Sequence, residues 1–144
     1  MSVLDHIFGV PDYLRMPPAY FHPRVLVGAG AMLTELFAHR HNITHVINCA
    51  DDGACPTWWR NRHPTRYTVL NAIDSFHVNI LDWYPRFEET LQSYLREGNG
   101  CVYVHCRAGM NRSGFLALAY SCKNLGMEFD TLVAGVKRQR PCIL

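Results

Sequence analysis

Residues 105–114, HCRAGMNRSG, constrain this chain more than any other segment. An apolar run, CVYV at 101–104, precedes them, and a second, FLALAY at 115–120, follows. The pattern predicts a strand, a tight loop and a helix. Cys106 then ends the strand, Arg112 opens the helix, and Gly109 lies near the middle of the loop. A thiolate, a guanidinium and the intervening backbone N–H groups converge on a space the size of one phosphate.

Each residue type in that loop has a chemical reason to be there. A free cysteine has a pKa near about 8.5, and a helix N-terminus beside an arginine lowers it. The same positive potential attracts a phosphate dianion, so one environment activates the nucleophile and binds the substrate. Arg112 has the planar fork to hold two phosphate oxygens, which a lysine lacks. Gly109 lets the backbone turn its amides inward. The Ser113 hydroxyl is within sequence reach of the Cys106 sulfur as a hydrogen-bond donor.

The rest of the chain supplies a frame for the loop. Its 144 residues suit one domain, 1–144, with a Pro- and aromatic-rich arm over 1–23. Strands are predicted over 25–28, 43–50, 66–73 and 101–105. Helices are predicted over 31–39, 85–97, 112–125 and 128–138, with a loop over 51–64. The 31–39 helix has Met32, Leu33, Leu36 and Phe37 on one face. Strands alternating with helices imply an α/β fold: a central, mainly parallel sheet of about four to five strands, flanked by helices. Ligands of such sheets bind beyond the carboxyl ends of the strands, where Cys106 lies.

Composition narrows the partners. The net charge of +2 is too small to argue for nucleic acid, although arginine outnumbers lysine 12 to 2. No apolar run approaches a membrane span. The first residues, with an early acid and prolines, do not read as a signal peptide, so a reducing, cytoplasmic setting is expected. None of the six cysteines forms a CxxC pair, and no His/Cys spacing suits a metal, so neither metal nor cofactor is expected. Cys49 reads as a core thiol or, alternatively, as a disulfide partner protecting Cys106. The segment WWRNRHPTR at 58–66 reads as a loop with one tryptophan turned inward, or as a surface for stacking on RNA bases. Lys137, Arg138, Gln139 and Arg140 read as a solvated helix end.

The 105–114 motif resembles the HCxxGxxR[ST] loop of the cysteine-dependent protein tyrosine phosphatases. Length and surroundings are most similar to the small, atypical or viral-like dual-specificity branch, and the segments VLVGAGAM, ITHVINCA and VKRQRP fall in family order. The resemblance implies a phosphatase-type three-layer fold with the loop between the last strand and the following helix. It implies Cys106 as nucleophile, Arg112 as phosphate clamp, Ser113 as thiolate partner and His105 as an influence on the cysteine pKa. Arg107, Ala108, Gly109, Met110 and Asn111 would line the phosphate cradle. It also implies a general acid about thirty residues earlier; Asp74 is 32 residues before Cys106 and matches, while Asp82 reads better as an N-cap.

The family's deep-pocket Asn-Arg-Tyr element has no counterpart, which implies a shallow site open to phosphoserine and phosphothreonine as well as phosphotyrosine. A phosphoprotein substrate is the expected partner. An RNA 5′-triphosphatase and a phosphate-binding module without turnover are the alternatives. The chain stops just past Arg140-Pro141, so the arm or a second subunit, as in a homodimer, is expected to cover that edge of the core.

Overall fold

The structure, a computed structural model, describes residues 11–73 and 79–144. Five strands form one sheet: β1 (Ala19–His22), β2 (Val25–Ala29), β3 (Ile43–Asn48), β4 (Tyr67–Val69) and β5 (Cys101–Cys106). Their order is β1-β2-β5-β3-β4. β1 runs antiparallel to β2, and all other neighbours are parallel. The helices are α1 (Asp12–Arg15), α2 (Glu35–Arg40), α3 (Thr57–Arg62), α4 (Tyr84–Glu97), α5 (Arg112–Asn124) and α6 (Phe129–Gln139).

β5 occupies the centre and every one of its residues is buried. The two-residue period of the strands divides the core into two layers. Val25, Val27, Val102 and Val104 face Phe87, Leu91 and Leu116 of α4 and α5. Leu26, Val46, Cys101 and Tyr103 face the other way, toward Leu33 and Trp59. β2 and the first four residues of β5 therefore read as continuous apolar runs because both faces are covered. α4 begins with Pro85 in its first turn and buries Phe87, Leu91 and Tyr94.

Several expected boundaries move for local reasons. The helix expected over 31–39 starts only at Glu35, because the Thr34 hydroxyl accepts from the Phe37 N–H and caps it there. Residues 30–32 form a 3-10 turn instead, and Leu36 is 64% exposed rather than on a buried face. The loop expected over 51–64 contains a 3-10 turn at Asp52–Ala54 and helix α3. The 66–73 strand shortens to β4, after which Leu70, Asn71 and Ala72 donate irregularly to Asn48, Ala50 and Cys49 carbonyls. Asp82 sits inside the 3-10 turn Ile80–Trp83; its cap is Asn79, whose side chain accepts from the Leu81 N–H.

The edge of the sheet is closed by the chain itself. β1 forms within the Pro-rich arm, and the Gln139 amide pairs with both backbone groups of Tyr20. That contact occupies an edge that would otherwise offer unpaired N–H and C=O groups. Ile143 is fully buried and packs with Leu144 against Gly114 of α5. Among the described residues no helix is long and apolar enough to cross a membrane.

Candidate active site

β5 delivers Cys106 to the carboxyl edge of the sheet, and α5 begins at Arg112. Residues 107–111 span the gap as a loop. Gly109 at its centre has φ of +68°. A Cβ there would sit 2.2 Å from the Gly28 carbonyl carbon, so both the dihedral and the close approach to β2 require glycine.

Cys106 is only 2% exposed, yet its sulfur has hydrogen-bond donors. The Ser113 hydroxyl lies 3.3 Å from it, and the Gly109 N–H donates to it at 3.2 Å. Burial pushes the thiol pKa up, but hydrogen bonds from the Ser113 hydroxyl and the Ser113, Met110 and Gly109 amides outweigh it, and the net shift is downward. The other buried thiols behave in the opposite way. Burial pushes Cys55 and Cys101 up to about 12 and raises Cys49 as well. Burial alone makes an inert thiol; the donors of this loop favour the thiolate form.

His105 is fully buried, and its Nδ1–H donates to the Cys106 carbonyl at 3.2 Å. Burial pushes its pKa down to about 4, so the ring is neutral at physiological pH. The contact between the two residues is thus a backbone hydrogen bond and not a charge. Cys49, at the end of β3, is buried close enough to interact electrostatically with Cys106 and Arg112. Its N–H donates to the His105 carbonyl.

Arg112 donates to the Ala72 carbonyl at 3.2 Å. The start of α5 is thereby tied to the segment two residues before Asp74. Asp74 itself, with Phe76 and His77, lies outside the described residues. Arg107 leans away from the sulfur and pairs with Asp51 at 3.0 Å, both side chains being more than half exposed. The Arg107 hydrogen bond holds the Asp51 carboxyl below its usual range.

Cys106, Arg107, Ala108, Met110, Asn111 and Arg112 line a cavity of about 280 Å³, so all but Gly109 of the expected cradle residues face it. Tyr13 of α1 lines the same cavity. Sequence reasoning did not single it out, because nothing in the arm's composition links it to a loop more than ninety residues away.

A second omission is a correction. Arg140, read as part of a solvated helix end, is fully buried. It donates to the carbonyls of Ala108 and Gly109 in the loop and of Tyr13, Met16 and Pro17 in the arm. The 58–66 segment is also mostly occupied with packing. Trp59 is buried, the Trp58 indole N–H donates to the Leu33 carbonyl, and Arg62 pairs with Glu35. Among the described residues no group of three or more His, Cys, Asp or Glu is placed to hold a metal ion.

A cysteine at a strand end, bonded by a loop amide and a serine hydroxyl and sharing a cavity with an arginine at a helix start, sits at the carboxyl edge of a mainly parallel sheet. Residues 26–144 match the dual specificity phosphatase catalytic domain, and the chain belongs to that family. Human dual specificity protein phosphatase 16 is 31% identical over 127 residues, covering 88% of this chain and 18% of that protein. Mouse serine/threonine/tyrosine-interacting protein is 32% identical over 120 residues, covering 80% of this chain and 52% of that protein. The chain thus spans about half or less of the length of these curated relatives.

The solved structure of human tyrosine phosphatase-like serine/threonine/tyrosine-interacting protein superposes with a TM-score of 0.68 at 26% identity, covering 88% of this chain and 86% of that one. A mouse putative dual specificity phosphatase complexed with zinc tungstate gives 0.72 at 22% identity, covering 89% and 78%, and bears on the fold alone.

Proposed function

We propose that this chain is a protein phosphatase of dual specificity that hydrolyses phosphotyrosine and phosphoserine or phosphothreonine through a phosphocysteine. The observation that carries the reading is the buried Cys106 sulfur, held between the Ser113 hydroxyl at 3.3 Å and the Gly109 N–H at 3.2 Å in a cavity that Arg112 also lines. In the first step the Cys106 thiolate attacks phosphorus and the bond to the leaving oxygen breaks. Arg112 and the loop amides hold the three equatorial oxygens. Asp74 gives its proton to the leaving oxygen. In the second step the Asp74 carboxylate takes a proton from water, which attacks the phosphocysteine. Inorganic phosphate departs, and the Ser113 hydroxyl stabilises the returning thiolate.

A binding role without turnover is the second reading, since one relative is described as phosphatase-like and as an interacting protein. The activated sulfur favours turnover, because binding alone needs no thiolate. An RNA 5′-triphosphatase is less well supported: Trp59 is buried and Trp58 is engaged at Leu33, so the Trp/Arg segment offers little free stacking surface. The deciding experiment compares kcat/KM on phosphotyrosine and phosphothreonine peptides and 5′-triphosphate RNA, with Cys106→Ser as control. Peptide hydrolysis that vanishes in Cys106→Ser is the expected result. Equal rates in the two proteins would overturn the mechanism, and a preference for RNA would overturn the substrate class.

A further inference from the structure

Arg140 uses all five of its N–H donors on backbone carbonyls. Nη2 donates to Ala108 at 2.7 Å and Tyr13 at 2.6 Å, Nε to Gly109 at 3.0 Å, and Nη1 to Met16 at 2.9 Å and Pro17 at 3.1 Å. Among the described residues no carboxylate pairs with it. A buried cation held only by carbonyl dipoles is costly unless its charge is compensated nearby.

The two loop carbonyls it grips belong to successive peptide units. The unit bearing the Ala108 carbonyl also bears the Gly109 N–H, which donates to the Cys106 sulfur. The unit bearing the Gly109 carbonyl also bears the N–H of Met110, which lines the same cavity as Cys106. In a trans peptide C=O and N–H point in opposite directions. The guanidinium and the sulfur thus sit at opposite ends of the Ala108–Gly109 peptide dipole, and the guanidinium also holds the carbonyl of the next unit.

We propose that Arg140 is a positioning residue for Cys106: it fixes these two peptide units from behind, aims their N–H groups at the sulfur, and supplies through them the counter-charge of the thiolate. The proposal rests on Cys106 being the nucleophile. Other groups near the sulfur are Cys49 from β3, Tyr103 and His105 from β5, Arg107 from the loop and Arg112 from α5. Burial keeps Cys49, Tyr103 and His105 uncharged at neutral pH, and Arg107 is already paired with Asp51. Arg112 and Arg140 remain as the two cations acting on the thiolate, one in front of the loop and one behind it.

The test is a thiolate titration of Cys106 by ultraviolet absorbance, taken as the difference from Cys106→Ser, in wild type, Arg140→Lys and Arg140→Met. The Met variant should raise the midpoint by about one pH unit, a tenfold smaller thiolate fraction on the acid side. Lys keeps the charge but not the planar fork and should fall between. The acid limb of kcat/KM should move with each midpoint. In the wild-type protein, which needs no variant to fold, the NMR signal of the Arg140 Nε–H should shift with the Cys106 midpoint.

A wild-type midpoint at the free-thiol value would sink the nucleophile reading itself. A low wild-type midpoint that is unmoved in variants that melt cooperatively would sink only the role of Arg140. An Nε–H signal that is flat across the Cys106 titration would sink that role even if neither variant folds.

Discussion

At the scale of single residues, the site turns on how many donors reach one sulfur. Burial alone would make Cys106 resemble Cys55 and Cys101; four hydrogen bonds reverse the outcome. Ser113→Ala removes the hydroxyl that lies 3.3 Å from the sulfur while leaving the fold intact, since the hydroxyl oxygen is the only heavy atom lost. The acid limb of kcat/KM is expected to move to higher pH, because the thiolate then forms less readily. A limb that stays in place would deny Ser113 that role. Gly109→Ala should be harsher. Its positive φ costs an alanine about 1–2 kcal/mol, and the methyl group would displace the loop from β2. Loss of roughly 100-fold in kcat/KM is expected, with vanadate binding weakened in parallel; retention of either would mean the loop tolerates the shift.

At the scale of elements, two segments of different origin must meet the loop: the stretch after β4 and the start of α5. The Arg112–Ala72 hydrogen bond links them and brings the chain toward the sulfur two residues before Asp74. Asp74→Ala should slow phosphate esters in proportion to how poor their leaving group is, since a good leaving group needs no proton. A loss equal across a series of aryl phosphates would remove Asp74 as the acid. What could be read from the sequence follows the same division. The strand-loop-helix at 101–124 is legible because its periodicity, its glycine and its chemistry agree. α3 was hidden by Asp51, Asp52, Gly53 and two prolines, although Pro56 sits at the helix entrance where it does no harm. β1 lies in an arm whose prolines suggest irregular chain, and only its pairing with β2 makes it a strand. Arg140 looked solvated because it ends a basic helix; its partners are 31 to 127 residues distant in the chain, beyond any local pattern.

At the scale of the whole molecule, stability should fall on acidification in a way that His105 helps to set. Its folded-state pKa of about 4 lies below the ordinary value of 6.5. Between those values the unfolded chain takes up a proton that the buried ring refuses, so stability is lost as pH falls through that window. The contribution is on the order of 3 kcal/mol. His22, His41 and His63 are shifted in the same direction by burial. Urea unfolding at a series of pH values should show a shallower acid decline in His105→Gln than in wild type. Identical slopes would mean that the buried imidazole does not drive it.

The contacts of Arg140 also bear on the order in which the protein acquires its reactivity. Tyr13 and Arg140 lie 127 residues apart, and contacts of such separation carry the largest loop-closure cost and form late. Until they close, Cys106 has an incomplete set of supports and its pKa stays nearer that of a free cysteine. Reactivity then arrives with the finished fold, so a nascent or partly unfolded chain carries no exposed, aggressive nucleophile. At mildly acidic pH, where a free cysteine is almost wholly protonated, an alkylating agent should modify Cys106 chiefly in molecules that have completed folding, which makes the rate of Cys106 modification a clock for native assembly.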